Sequence, residues 1–253
     1  DYSRVILHNH SRANPLLCTG FTEVCVDGKE GKVLWTKTRT VTDGTLEEVS
    51  GGDDMSVEQD TYIYLRKETK QVYAYRISTG EQLWVSDVRE GLWNTFARGP
   101  AIAYDKVIVN SYDGEVWAHD IATGQVLWKW GPVKSGLVTP YGQYPFIGGI
   151  TIADNKIVVC TNEHSGDSPL YQGERMYVID LDTGKTVWNM LGWYQIPAVG
   201  NGAILAVNQY DGRIYAFGRG SSATSVSAPD VDVTLGQGIT IKGTVIDISA
   251  GTK

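Results

Sequence analysis

The sequence predicts an all-β chain: a β-propeller of four-stranded blades, about five of them visible, followed by the start of a β-sandwich-like segment. Three observations carry this expectation. Tryptophan recurs as Trp35, Trp84, Trp128 and Trp188, at spacings of 49, 44 and 60 residues, and a period of roughly 40 to 50 residues marks a propeller or solenoid. Gly31, Gly80, Gly124 and Gly184 each stand four residues before that Trp, and Asp27, Asp120 and Asp180 stand four before their Gly, with Arg76 in the second copy. Between the signatures, apolar residues alternate with the period of two that belongs to strands.

Each position in the repeat has a physical reading. In Val72-Tyr73-Ala74-Tyr75 both parities are apolar, which suits a strand covered on both faces by neighbouring blades. Asp and Thr oxygens accept turn N–H groups while Gly takes the positive φ that closes a tight hairpin. Thr79, Thr123 and Thr183 precede the Gly in three copies and Glu30 in the first. Blades splay outward from an axis, and a Trp on the outer strand fills the widening gap. A fifth, degraded copy reads Ile214-Tyr215-Ala216-Phe217-Gly218, without Thr-Gly or Trp.

Further strand pairs complete each unit: Ala101–Ala103 with Lys106–Ser111, Ile147–Ala153 with Lys156–Thr161, and Ala198-Val199 with Ala203–Asn208. Their turns, Asp105-Lys106, Asp154-Asn155-Lys156 and Asn201-Gly202, open successive blades. The blades fall at about residues 1–42, 43–90, 91–134, 135–194 and 195–220, with the first and last incomplete. Propellers close with typically 4 to 8 blades, so five make a small ring or part of a larger one. Residues 1–220 form the propeller. Residues 221–253 form a linker, Ser221–Ser225, and the opening strands of an immunoglobulin-like segment, Val231–Leu235 and Ile239–Ile248, too short to bury a core alone.

Composition narrows the function. Net charge is −7 and the sequence pI about 5.1, which leaves no basic footprint for nucleic acid. No run of 18 apolar residues spans a membrane. The opening Asp1-Tyr2-Ser3-Arg4 lacks a signal-peptide pattern, so the chain reads as soluble and as a processed or excised piece. Cys18, Cys25 and Cys160 read as small core residues, with a Cys18–Cys25 bridge as the alternative. Asn9-His10-Ser11 is a glycosylation sequon. Gly-x-Ser-x-Gly, P-loop, zinc-ribbon and His-Glu-x-x-His patterns are absent.

The repeats resemble the tryptophan-docking motif of pyrroloquinoline-quinone enzyme propellers, Ala-x-Asp-x-x-Thr-Gly-x-x-x-Trp. Ala118 to Trp128 fits every specified position, and Val178 to Trp188 differs only at the Ala. A second likeness is to secreted or surface-anchored archaeal proteins in which a quinoprotein-like propeller precedes immunoglobulin-like domains. It rests on Tyr141–Pro145, Gly148–Thr151, Glu163–Ser165, Gly173–Asp180, Ser227–Pro229 and Ile241–Val245. That likeness implies an extracellular or cell-surface location. The enzyme likeness implies eight blades, a vicinal Cys pair, a Ca²⁺ held by Glu, Asn and Asp, and an Asp base. This sequence has no Cys-Cys, and the calcium ligands do not map residue by residue.

Propeller ligands meet the segments entering the innermost strands. Here those segments supply Trp93, Asn94 and Arg98, then Tyr141 and Tyr144, then Trp193 and Gln195, a mixture suited to a planar or sugar-like ligand. Ordinary packing at blade junctions is the competing reading. The long spacing contains an insertion, Asn162–Glu174, in which Glu163, His164 and Asp167 could ligate a metal; hydrogen bonds that order the loop are the alternative. His8 and His10 share one face of a strand, and Glu47-Glu48 with Asp53-Asp54 form an acidic pair of pairs.

The leading expectation is a non-catalytic extracellular propeller that binds or scaffolds, presenting loops to a protein partner or to a small-molecule or glycan ligand. An oxidoreductase using pyrroloquinoline quinone and Ca²⁺, with Arg98 gripping the cofactor, is the alternative. An assembly factor that pairs or self-associates through an open blade edge is a second alternative.

Overall fold

The computed structural model describes residues 3–14, 17–45, 54–56, 59–66, 70–89, 99–163, 170–218 and 222–248. Every regular element among them is a strand. The first sheet is β1 (Arg4–Asn14), β2 (Leu17–Asp27) and β3 (Val33–Thr45). The second is β4 (Asp54–Ser56), β5 (Thr61–Arg66), β6 (Gln71–Arg76) and β7 (Gln82–Val85). The third is β8 (Ala101–Ala103), β9 (Lys106–Asn110), β10 (Val116–Asp120) and β11 (Val126–Trp130). The fourth is β12 (Thr151–Ala153), β13 (Lys156–Cys160), β14 (Arg175–Asp180) and β15 (Thr186–Leu191). The fifth is β16 (Tyr194–Gly200), β17 (Ala203–Asn208) and β18 (Arg213–Gly218).

All five sheets are antiparallel meanders in chain order; the second, third and fourth have four strands and the first and fifth have three. The first strands of successive sheets, β4, β8, β12 and β16, neighbour one another, so they line the axis and the Trp-bearing fourth strands lie outermost. The hydrophobic cores sit between sheets. Val107 and Val109 of β9 enter the core shared with the second sheet, while Ile108 enters the core shared with the fourth. On β13, Ile157 and Val159 face the third sheet, and Val158 and Cys160 face the fifth. Two-sided burial is why these strands read as continuous apolar runs.

The repeat turn forms as its chemistry requires. Asp120 Oδ1 accepts from the Thr123 N–H at 2.8 Å and the Thr123 hydroxyl at 2.7 Å, and Asp180 with Thr183 repeats both distances. Gly80, Gly124 and Gly184 hold φ of +69°, +76° and +67°. They are also landing pads for the preceding blade's Trp. A Cβ on Gly80 would lie 2.8 Å from the Trp35 ring, one on Gly124 2.5 Å from Trp84, and one on Gly184 2.7 Å from Trp128. Each indole N–H donates to a carbonyl of that next turn: Trp35 to Ile77 at 2.9 Å, Trp84 to Ile121 at 2.8 Å and Trp128 to Leu181 at 3.0 Å. Trp188 faces a fifth repeat whose sequence lacks the Thr-Gly of this turn, and packs on Phe217 at 5.4 Å between centroids.

Several local expectations need correction. Ser222–Ser225, expected as part of a linker, lies in a strand: β19 (Ser222–Ser227) pairs along its length with β20 (Lys242–Asp247), and the Ser225 and Thr244 hydroxyls meet at 2.6 Å. Val231–Leu235 is irregular and exposed, because the β-branched and hydroxyl residues of the Ser-rich stretch supply the strand partner instead. This hairpin forms a separate two-stranded sheet. Ile147–Ile150 precedes β12 rather than extending it, and Tyr194–Pro197, expected as a loop, belongs to β16. Cys25 and Cys160 are free, buried thiols, so no Cys18–Cys25 bridge forms. Burial pushes the Cys160 thiol up to about 12, consistent with an inert core residue.

The third blade buries a histidine. His119 on β10 is fully buried; its Nδ1–H donates to the Gly124 carbonyl at 2.9 Å, and Nε2 faces the Arg89 guanidinium. Burial, and then the Arg89 charge, lower its pKa to about 4. The unfolded chain therefore binds a proton there from about pH 6.5 downward while the folded chain resists until about 4. Stability from this residue is complete above pH 6.5 and falls as the pH drops, by up to about 3 kcal/mol. Urea midpoints at pH 7 and pH 4 should differ less in His119→Gln than in the parent chain; an unchanged pH slope contradicts this.

Candidate functional site at the blade-junction face

Chain order and antiparallel pairing divide the connections between the two faces of the array. The tight turns between first and second strands and between third and fourth strands emerge on one face. The segments between second and third strands, and those entering the next blade, emerge on the other. The long connections 131–150 and 161–174 and the short ones 192–193 and 209–212 lie on this second face, which therefore holds the candidate residues.

These side chains hold one another. Trp193, 4% exposed, donates its indole N–H to Asn162 Oδ1 at 2.5 Å, and Gln195 Nε2 reaches the same oxygen at 3.3 Å. Tyr144, 9% exposed, donates its hydroxyl to the Gln172 carbonyl at 2.5 Å. Tyr141 stands 6.0 Å from Tyr112, ring to ring. Backbone bonds cross the same junctions: Phe146 N to Ser111 O at 3.2 Å, Asn162 N to Pro145 O at 2.9 Å and Gln209 N to Trp193 O at 2.8 Å. Lys70 and Asp113, both buried, form an ion pair between the second and third blades. Trp93, Asn94 and Arg98 lie outside the described residues. So the structure brings Trp193 and Gln195 together through Asn162, links Tyr144 to the insertion, and leaves Tyr141 in a separate aromatic pair.

Of the three metal candidates only Glu163 falls among the described residues. His164 and Asp167 lie outside the described residues. Glu163 is buried and accepts from the Tyr171 N–H at 3.3 Å. No group of three or more His, Cys, Asp or Glu placed to hold a metal occurs among the described residues. His8 stacks on Tyr64 of the second sheet at 5.6 Å and stands 3.8 Å from Glu23, and His10 lies 6.2 Å from Phe21, its cross-strand partner in the first sheet. Glu47, Glu48 and Asp53 lie outside the described residues.

Glu174 was missed as a site residue. It is fully buried at the entrance to β14, and burial first, then the Glu163 charge, push its carboxyl up to about 7 despite the opposing influence of Thr161. In the sequence it ends a polar insertion and reads as a solvated charge; nothing in the linear pattern signals its burial. Beside it, Gln172, Gly173, Leu191, Gly192, Asn208 and Tyr210 line a cavity of about 480 Å³.

Comparison with known proteins agrees with the fold. The family model described as outer membrane protein assembly factor BamB matches residues 21–143. The quinohemoprotein alcohol dehydrogenase ADH IIB of Pseudomonas putida is 26% identical over 161 residues, covering 60% of this chain and 21% of the relative. The quinoprotein ethanol dehydrogenase of Pseudomonas aeruginosa is 30% identical over 151 residues, covering 56% and 23%. The chain thus spans less than a quarter of these relatives. Among solved structures, BamB from Moraxella catarrhalis superposes with a TM-score of 0.55 at 17% identity, over 85% of this chain and 63% of that one. Quinohemoprotein alcohol dehydrogenase from Comamonas testosteroni gives 0.55 at 16%, over 85% and 45%. At such identities the structural likeness shows the fold alone. Fold and repeat together define the class: an all-β propeller of the pyrroloquinoline-quinone-type repeat, built of antiparallel sheets of which the three central ones have four strands.

The quinone named in the repeat's type does not fit the described residues of this face. A flat, acidic cofactor needs an open slot and free donors. The Trp193 and Tyr144 rings are buried, and the indole, amide and phenol donors are spent within the protein. Arg175, which directly follows the 161–174 connection, directs its guanidinium to the Asn189 side chain at 2.8 Å, and Arg89 lies 4.1 Å over the Trp117 ring and contacts His119.

Proposed function

We propose that this chain is a non-catalytic binding or scaffolding propeller, acting outside the cell or at its surface and presenting the blade-junction face to a protein partner or a small-molecule or glycan ligand. The observation that carries this reading is the mutual bonding of Trp193, Gln195, Asn162, Tyr144 and Gln172, which stiffens the face. Apolar tips project from that stiff base: Leu137 is fully exposed, and Val138, Leu191 and Tyr210 are exposed beside the same connections. Rigid anchors with projecting apolar side chains suit recognition, since little ordering entropy is lost on binding. The extracellular setting rests on the likeness to surface-anchored archaeal propellers with immunoglobulin-like domains.

The names of the curated relatives favour the alternative of a quinone-dependent oxidoreductase, and one experiment separates the two. After incubation with pyrroloquinoline quinone and Ca²⁺, the chain is expected to pass no electrons from primary alcohols to a dye acceptor beyond a heat-denatured control; clear turnover overturns the proposal. A blade-edge role in assembly is favoured by a different feature. The fifth sheet ends at β18, whose outer edge carries no partner strand among the described residues, and an open edge can accept one.

A further inference from the structure

The gap between the first and second sheets opens into a cleft of about 380 Å³, within the size range of small-ligand sites. Rings of Phe21, Tyr64, Tyr73 and Tyr75 wall it, Arg39 and Arg66 contribute two guanidiniums, and no carboxylate is among the lining side chains. In a chain of net charge −7 this is a locally cationic, aromatic recess. Arg39 is held rigidly within it. Its Nε is bonded to Glu23, its Nη2 to the Tyr62 hydroxyl and the Gly80 carbonyl, and its central carbon lies 3.6 Å from the Tyr75 ring centre. Nη1 takes part in none of those bonds and is not a buried unpaired atom, which leaves it to the cleft. Arg66 stands 5.5 Å over Tyr73, the half-buried ring of the four.

The repeat does not require this arrangement. Arg39 stands four residues after Trp35, where the other copies have Val88, Pro132 and Gly192. Tyr64 opposes Tyr73 at the register position where Val109 opposes Trp117 and Val159 opposes Tyr177. Rings and guanidiniums thus replace aliphatic packing where the cleft forms. A guanidinium with fixed, unspent N–H groups selects carboxylates through charge-assisted bonds. We propose that this cleft binds an acidic sugar, a pyranose bearing a carboxylate, with Arg39 and Arg66 supplying the donors for the carboxylate and Tyr73 the platform for the ring. Thr38, Thr40 and Gln82 complete the lining and suit the sugar hydroxyls, which an aryl acid would leave unused. This site is independent of the blade-junction face.

Calorimetric titration of the full chain with D-glucuronate tests the assignment. Binding is expected to saturate, to weaken with added salt, and to be about tenfold or more tighter than that of D-glucose, which keeps the ring and lacks the charge. Arg66→Gln should weaken glucuronate by about tenfold or more; a Kd equal to the parent's places the anion elsewhere and overturns the proposal. Arg39 is left intact, because its loss strands the buried Glu23. Tyr73→Leu removes the ring face while keeping an apolar side chain, and should also weaken glucuronate. If Arg66→Gln does not fold, Tyr73→Leu decides, and unchanged affinity contradicts the proposal. Three results with the parent chain overturn it as well: no saturable binding, equal affinity for the two sugars, or tighter binding of benzoate than of glucuronate, which would assign the cleft to aryl acids.

Discussion

Glu23→Ala is expected to destabilise the chain by about 3–5 kcal/mol, the cost of leaving a buried charge without its partner. Glu23 on β2 is fully buried between the first and second blades. Its Oε2 accepts from Arg39 Nε and, at 3.0 Å, from the Tyr62 hydroxyl, which itself accepts from the Arg39 guanidinium at 3.0 Å. The same guanidinium donates to the Gly80 carbonyl at 2.8 Å and lies 3.6 Å over the Tyr75 ring. Removing the carboxylate strands a cation inside an aromatic box. Burial drives the Tyr62 and Tyr75 phenols upward in pKa, so neither can ionise to replace it. Urea unfolding followed by Trp fluorescence checks the value; a loss below about 1 kcal/mol, the range of exposed pairs, means that the pair is solvated.

Trp84→Ala should cost a similar amount, about 3–5 kcal/mol. The Trp84 ring is the plate between the second and third blades: it rests on Gly124, its N–H reaches the Ile121 carbonyl, and it stacks near His119 at 6.4 Å between centroids. Trp84→Phe retains most of the apolar contact and loses the hydrogen bond, for about 1–3 kcal/mol because the buried carbonyl is left unpaired. Trp188 provides the internal control. With no Thr-Gly in the repeat that follows it, Trp188→Ala should cost less than Trp84→Ala under the same conditions; equal losses would mean that burial alone, and not docking on the next turn, sets the energy.

The repeat is legible in the sequence because each element has a local cause: Asp and Thr oxygens, a glycine at positive φ, and apolar residues on both parities. The identity of each Trp's partner is not. Trp35 and Ile77 are 42 residues apart, and the period places the tryptophan on an outer strand without saying that its N–H reaches into the next blade. Glu23 carried a signal of its own, since it shares the parity of Phe21 and Cys25 and so lies on the packed face of β2. The site was only half legible. The segments entering the blades do define one face, but Trp193 and Tyr144 look like ligand contacts until their bonds to Asn162 and Gln172 are seen. Glu174 gave no warning, because a carboxylate in a polar insertion is ordinarily solvated and its burial depends on Tyr210 of the next blade.

The central claim is that the described residues of the blade-junction face are stiffened by their own side chains and do not form a quinone cradle. The most direct test is an experimental structure of the chain with pyrroloquinoline quinone and Ca²⁺ present. The expected result is Trp193 and Gln195 still bonded to Asn162, Tyr144 still bonded to Gln172, and no ordered quinone on the axis. An ordered quinone at the inner strands, with those bonds broken to admit it, would contradict the account.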